Sequence, residues 1–505
     1  MLIYLIHAGF KTYDISYVGE NIGLAYISSN LQTHGYSTRI IDCLVDGWNE
    51  NTLIQEIIIS KPSIVLLSFY EENSKETIAF INMLRVANYK SPILLGGIYV
   101  TLNTKTVLNS LVDSTNVWCV RGEGEEVSVE FAKEIERGNK RPSIKGVAYK
   151  DKKEIVNDDF VNMVCDINSL PFPDRSVMDR IYGRLNASIY LLSSRGCYGN
   201  CSFCILNIYN SKVAEHDRQK KWRERTISCV VDEMKELLVR YPGALIKFVD
   251  SNFIGWNPQR GLLLADEIKK RNLKVKFAIE CRANDVNEDI LVALKEAGLV
   301  SIFIGVESGS NRVLQRYNKE ITVEQNQFAI DTIRKLHIGL KMGFILFDEF
   351  STISELRENT EFLHKNNSCV FHPYRPLIIE KYSQNNEKYD VPVIYDERTR
   401  LAYNIIKELC ARLLPYRAQL DRLRKNATQK KCRQKEMVYS ILGKFILFDK
   451  HGMNLLLSMC EDLSINSETV RNEIKMFSDR ILKEIVLDFE NIDKMEGKEI
   501  WRNYT

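Results

Sequence analysis

Three cysteines, Cys197, Cys201 and Cys204, stand at C-x3-C-x2-C spacing within Ser193-Ser194-Arg195-Gly196-Cys197-Tyr198-Gly199-Asn200-Cys201-Ser202-Phe203-Cys204. Thiolates on so short a loop can converge on one soft metal centre. In a cubane iron–sulfur cluster, three cysteines leave one iron open to a small molecule. A zinc site with a distant fourth ligand, or three unrelated cysteines, would show the same residues. The apolar run Ile189-Tyr190-Leu191-Leu192, the glycines inside the loop and Phe203 before the last cysteine favour the cluster. No side chain is singled out as a catalytic acid, base or nucleophile.

The elements that must hold this loop follow a strand–helix rhythm. Strands are expected at 245–249, 275–279, 301–305, 342–347 and 369–371. Asn287 reads as a helix cap with Gly298 as the stop, and Thr322 with Gln325 as a capping pair. With the strand before the cysteines this makes six βα units, a partial TIM-type barrel, (β/α)6. Residues at the carboxyl ends of its strands face the active site. Those ends are polar: Asp250-Ser251-Asn252, Glu280-Cys281-Arg282 and Gly305-Val306-Glu307-Ser308-Gly309. Carboxylates there suit an amine or hydroxyls, and a guanidinium suits a carboxylate. Arg282 and Glu307 could also pair with each other. His372, Tyr374 and Arg375 are further polar candidates for a substrate contact.

Upstream, apolar runs at 2–6, 38–41, 64–67, 93–95 and 117–120 alternate with helical patterns. That alternation implies a Rossmann-like, doubly wound α/β domain with a parallel sheet. Its ligand edge is the carboxyl end of the strands. Ser68, Gly96-Gly97 and Arg121-Gly122-Glu123-Gly124-Glu125 fall there. Tight turns would use glycine in the same way. The segment 144–155 alternates around Lys150-Asp151-Lys152-Lys153 and reads as an exposed hairpin.

Cys197-x3-Cys201-x-Phe203-Cys204 resembles the signature of radical S-adenosylmethionine (SAM) enzymes. The resemblance implies a [4Fe-4S] cluster on Cys197, Cys201 and Cys204, with SAM on the open iron. It implies SAM contacts from Asp250, Arg282, Glu307 and Ser308. The first domain resembles a cobalamin-binding domain: Asp14-Ile15-Ser16-Tyr17-Val18-Gly19 lines up with D-x-H-x-x-G. Ser16, Ser68, Gly96, Gly97 and Gly122 are then the expected cobalamin contacts. Ser16 stands where the cobalt-ligating histidine would be, so either cobalamin binds without a protein nitrogen on cobalt, which is the expectation here, or the fold persists without its cofactor. Arg121-Gly122-Glu123-Gly124-Glu125 and Leu170-Pro171-Phe172-Pro173 resemble segments of cobalamin-dependent radical SAM enzymes. The activity implied is methylation of an unactivated carbon in a small-molecule or natural-product intermediate. A rearrangement, oxidation or cyclisation without methyl transfer is the enzymatic alternative. A non-catalytic cobalamin or iron–sulfur binding protein is the other.

The expected organisation is 1–150 cobalamin-binding domain, 151–185 connector, 186–380 barrel and 381–505 helical region. In the last, Leu401, Ile405, Leu409 and Leu413 give one helical face, ending at Pro415. A basic helix follows, with Arg417, Arg422, Arg424 and Lys425, a solvated face or a site for an anionic substrate or carrier. The net charge of +3 on 505 residues is too weak to argue for nucleic acid. Twelve scattered cysteines outside a short secreted chain do not suggest a disulfide framework. No run is long and apolar enough to span a membrane. The expectation is a cytoplasmic enzyme acting on a small molecule, fed electrons by a donor such as flavodoxin or ferredoxin.

Overall fold

Short runs rich in Ile, Val and Leu have too few residues for helices and are apolar on both faces, so they form buried parallel strands. In a computed structural model the described residues are 1–9, 19–68, 70–156, 161–183, 187–213, 221–368, 370, 394–427 and 432–496. The chain forms two compact units. The first is Met1–Asn200, Cys204–Ile304 and Phe328–Lys341, and the second is Cys201–Phe203, Gly305–Gln327 and Met342–Thr505.

The first sheet holds β1 (Leu2–His7), β2 (Ser37–Asp42), β3 (Ile64–Ser68), β4 (Ile93–Gly96), β5 (Val117–Val120), β6 (Val147–Asp151) and β7 (Glu154–Val156). Its order is β2-β1-β3-β4-β5-β6-β7. The first five strands are parallel, and β6 and β7 add antiparallel at one edge. Alternate residues of β1 serve two cores. Ile3 and Leu5 meet the helices at 22–33 and 125–136, while Tyr4 and Ile6 meet those at 50–60 and 74–86. The hairpin expected around Lys152 is β6–β7. It extends the first sheet to Val156, beyond the boundary drawn at 150, because β6 pairs with β5.

The connector is tied down at both ends. Leu170 packs with Tyr26, Val164 and Ile167, and Phe172 lies under the Arg225 guanidinium. Arg175 is buried between Glu20, ahead of the first helix, and Glu233, on the helix Ile227–Arg240. Burial pushes the Glu20 carboxyl up to about 7 against the pull of Arg175. An acid raised in this way binds a proton in the folded chain that the unfolded chain has lost. Its stabilising effect is full below about 4.5 and is lost as pH rises to about 7. At about 1.4 kcal/mol per pKa unit this is on the order of 3 kcal/mol. The thermal midpoint should therefore fall from about pH 5 to about pH 8 more in the wild type than in Glu20→Gln. Parallel curves would refute the shift.

The second sheet contains β8 (Ile189–Leu191), β11 (Leu245–Phe248), β12 (Lys276–Arg282), β13 (Leu299–Glu307) and β14 (Gly339–Phe344), in the order β14-β13-β12-β11-β8. Pairing of β11 with β8 and with β12 is parallel. Five of the six expected barrel strands are present; the sixth, at 369–371, lies outside the described residues apart from Val370. A two-stranded ribbon that the sequence did not announce, β9 (Ser194–Gly196) with β10 (Trp222–Glu224), interrupts the series. The Asn287 and Thr322 caps form as expected, and Gly298 takes the left-handed stop.

In the second unit three long helices, Glu397–Ala427, Cys432–Glu461 and Ser467–Glu496, share one core. Leu401, Ile405, Leu409 and Leu413 line it as expected. Pro415 does not end the first helix, which continues to Ala427. A proline inside a helix costs about 3 kcal/mol, and burial of Leu413 and Leu420 on either side offsets it. The basic side chains beyond Arg417 lie mostly outside the described residues. Among the described residues no helix is long and apolar enough to cross a membrane.

Candidate active site

The cysteine loop starts from a ribbon whose geometry leaves few choices of residue. Arg195 faces Arg223 and Gly196 faces Trp222 across β9 and β10. Gly196 has φ +93°, and a Cβ there would stand 1.8 Å from the Lys221 carbonyl oxygen. Only glycine fits, and Cys197 follows directly. Gly199 lies flat beneath Arg282, whose Nη1 would be 2.3 Å from an added Cβ. The Gly199 amide donates to Cys197 Sγ at 3.4 Å. Tyr198 donates its hydroxyl to Asp285, accepts from Asn284, and packs on Trp256 with ring centres 5.0 Å apart. After Cys204 the chain enters the helix Ile205–Val213. Cys201 is buried, and Cys197 and Cys204 are half-buried.

Asp250, expected at the SAM amine, is instead turned into the protein. It is fully buried, accepts the Ser193 amide at 2.7 Å on one oxygen and takes the Ser193 hydroxyl on the other. Burial pushes its carboxyl up, opposed by Arg260 and the Ser193 bonds. Arg260 completes the anchor by donating to the Ser193 carbonyl at 2.7 Å and to Glu224 at 2.8 Å. Asp250 thus fixes where the chain leaves β8 for the cysteine loop. Ser308 is also spent internally: it is buried, donates to Asn359 at 2.6 Å and accepts the Ser310 amide. The Arg282 guanidinium stacks over Tyr198, 5.3 Å from the ring centre, with Nε on Asn284.

Within the second unit, Glu307 closes β13 with φ +63°, a left-handed conformation costing about 1–2 kcal/mol for a residue with a Cβ. Its carboxylate folds back over Gly305 onto Lys319 Nζ at 2.9 Å. Lys319 is buried and stands 6.0 Å from the centre of the Phe203 ring. Ser202 is fixed by its amide bond to the Tyr317 carbonyl at 2.8 Å. Lys319 could not be singled out from residues alone, since it lies twelve residues past Glu307 on no recognisable pattern. Asp348 is buried among Arg316, Tyr317 and the Ser351 hydroxyl.

At the first sheet, Ser68 and Gly96 are register partners at the carboxyl edge. Among the described residues a Cβ on Gly96 would meet nothing within 4 Å, and Gly97 follows at φ +109°. Glycine at both positions lets a ligand approach the backbone closely. Gly122 differs: its φ of +94° lets it cross the Asn162 backbone, 2.1 Å from a would-be Cβ. Its freedom thus serves a chain crossing. Ser16 lies outside the described residues, as do His372, Tyr374 and Arg375. His7, the imidazole nearest the Ser16 loop in sequence, has Nδ1 3.0 Å from Asp42.

The fold is a parallel sheet with glycines at its carboxyl edge, followed by a partial barrel that carries a loop of three thiols. Residues 13–132 match the B12 binding domain family, and residues 191–363 match the radical SAM superfamily. An uncharacterized methyltransferase of Pyrococcus horikoshii is 25% identical over 351 residues, 69% of this chain and 73% of that one. An anaerobic magnesium-protoporphyrin IX monomethyl ester cyclase of Cereibacter sphaeroides is 29% identical over 383 residues, 71% of this chain and 59% of that one. The cobalamin-dependent S-adenosylmethionine radical enzyme OxsB, with aqua-cobalamin and SAM bound, superposes with a TM-score of 0.79 at 19% identity, over 98% of this chain and 81% of that one. At that identity the likeness is one of fold. The chain belongs to the radical SAM enzymes that carry a cobalamin-binding domain.

The cofactors of that family are a [4Fe-4S] cluster, SAM and cobalamin. The donor set fits the cluster: the loop offers thiols alone, without the carboxylates that suit hard ions. Among the described residues no three His, Cys, Asp or Glu side chains are close enough to hold a single ion. The open edge at Ser68 and Gly96 fits cobalamin. For SAM, Glu307 is the carboxylate to test. Glu307→Ala should weaken SAM binding at least about tenfold with iron content unchanged, since a charged hydrogen-bond partner is worth about 1.5–3 kcal/mol. Gly305→Ala should act alike, since its Cβ would stand 2.4 Å from Glu307 Oε1 and 2.8 Å from Lys319 Nζ. Wild-type SAM affinity in both would make the pair structural.

Proposed function

We propose that the protein is a methyltransferase acting on an unactivated carbon of a small-molecule or natural-product intermediate. The observation that carries this is the presence, in one compact unit, of the open carboxyl edge and the ribbon that leads into the cysteine loop. When bound, the cluster and SAM supply a radical and cobalamin supplies a transferable methyl group. The chain's own part is to bind and position. Cys197, Cys201 and Cys204 hold the cluster, and Asp250 with Arg260 fixes the entry to their loop. Ser68, Gly96 and Gly97 offer cobalamin a close backbone approach. No side-chain base is assigned. A one-electron donor such as flavodoxin or ferredoxin, in a reducing cytoplasm, belongs to the proposal.

The cyclase relative favours a second reading, in which the same cofactors drive a cyclisation, oxidation or rearrangement. The two separate by product mass with the reduced, reconstituted protein. A gain of one CH2 supports methyl transfer. An isomer or a product lighter by hydrogen supports the second reading. No cleavage of SAM would leave a binding protein.

A further inference from the structure

The turn after β5 carries two glutamates that no cofactor contact explains. Glu123 holds Arg223 with both oxygens, at 2.7 and 2.8 Å, and lies 3.3 Å from Arg195. It also accepts the Val164 amide at 2.6 Å. Glu125 holds the other arm of Arg195 at 2.5 Å. Arg195 and Arg223 are register partners in the ribbon, and Arg195 is two residues from Cys197. All four side chains are largely buried, and their charges balance, two against two. Burial works against ionising Glu123, but Arg223 and Arg195 outweigh it and hold its carboxyl below the usual range.

The other end of this turn leads to the open sheet edge. The Gly122 amide donates to Thr101 Oγ1 at 2.9 Å, and Thr101 Oγ1 donates to the Gly97 carbonyl at 3.0 Å. A continuous path of hydrogen bonds and backbone therefore runs from Gly97 through Thr101, Gly122 and Glu123 to Arg223, Arg195 and Cys197. Bidentate guanidinium–carboxylate bonds are directional, so disorder at one end is passed to the other.

We propose that Glu123 and Glu125 couple the two cofactor sites: a corrinoid seated over Gly96 and Gly97 tightens the ribbon that carries the first cluster cysteine. Both glutamates are positioning residues, and neither is assigned a contact with a cofactor. The proposal rests on the cobalamin assignment above. Coupling of this kind is reciprocal, so a loaded cluster tightens the corrinoid in turn.

The test is amide hydrogen exchange on the full chain without iron, with aqua-cobalamin as the probe. In the wild type, aqua-cobalamin should slow exchange at 96–101 and, by at least about threefold, at 193–197 and 222–225. Glu123→Gln with Glu125→Gln should still bind aqua-cobalamin and still protect 96–101, while the ribbon no longer responds. Because that pair leaves two arginines without their carboxylates, Glu123→Gln with Arg223→Gln is the second variant. It removes one charge of each sign and should also uncouple the ribbon. Equal slowing of the ribbon in wild type and variants overturns the proposal. So does a wild-type ribbon that ignores aqua-cobalamin while 96–101 is protected. If aqua-cobalamin neither co-elutes with the wild type nor protects 96–101, the cobalamin assignment fails, and the coupling with it.

Discussion

Replacing Cys197, Cys201 and Cys204 together by alanine should take iron from about four atoms per chain to near zero and abolish SAM cleavage. Cys43, Cys410 and Cys460 are poorly suited to substitute. Burial pushes the Cys43 and Cys410 thiols up to about 12 and the Cys460 thiol up to about 11, so each stays protonated near neutral pH. A thiol that does not ionise is a poor iron ligand. Cys119 is buried in the core of the first sheet, and Cys165 is exposed on the connector. Single replacement of Cys119, Cys165 or Cys460 should leave iron content and SAM cleavage near wild type. Full iron and activity in the triple variant would end the cluster assignment.

Asp250→Ala should be nearly as damaging, by another route. The side chain is fully buried, and its loss leaves the Ser193 amide and hydroxyl without their acceptor and Arg260 without its nearby anion. Breaking one partner of a buried charged set costs about 3–5 kcal/mol. The protein without cluster should melt at lower temperature, and reconstitution should recover less iron because the entry to the cysteine loop is no longer fixed. SAM affinity should fall only as a consequence. An unchanged melting temperature and iron content, with SAM binding alone lost, would return Asp250 to the ligand.

These outcomes also separate what could be read from residues alone. A carboxylate after a barrel strand has the same sequence signature whether it turns outward to a ligand or inward to a backbone amide. Asp250 turned inward because Ser193, 57 residues away, presents an amide and a hydroxyl in a closed space. Ser308 was taken in the same way by Asn359. Glu307 kept its place at the strand end, but its partner is Lys319. The glycine two residues before it is explained by the carboxylate folding back over that position.

The sequence by itself determined the features whose cause is local. Thiol spacing marks the cluster loop because three ligands on one turn must be close. Apolar runs too short for helices mark the parallel sheet, and Asn287 and Thr322 mark helix starts because a cap is satisfied within four residues. Only the tertiary structure decided the features whose partners are distant. The β9–β10 ribbon brings Gly196 against Trp222 from well apart in the chain, and its glycine is required by the Lys221 carbonyl just ahead of the opposite strand. The helix through Pro415 persists because a shared core outweighs a local defect. Glu123 and Glu125 read as one more polar turn until Arg195 and Arg223, 70 and 100 residues away, are seen against them. Charge pairing over such distances leaves no period or spacing in the chain, because burial of both partners in one place is fixed only when the fold is complete.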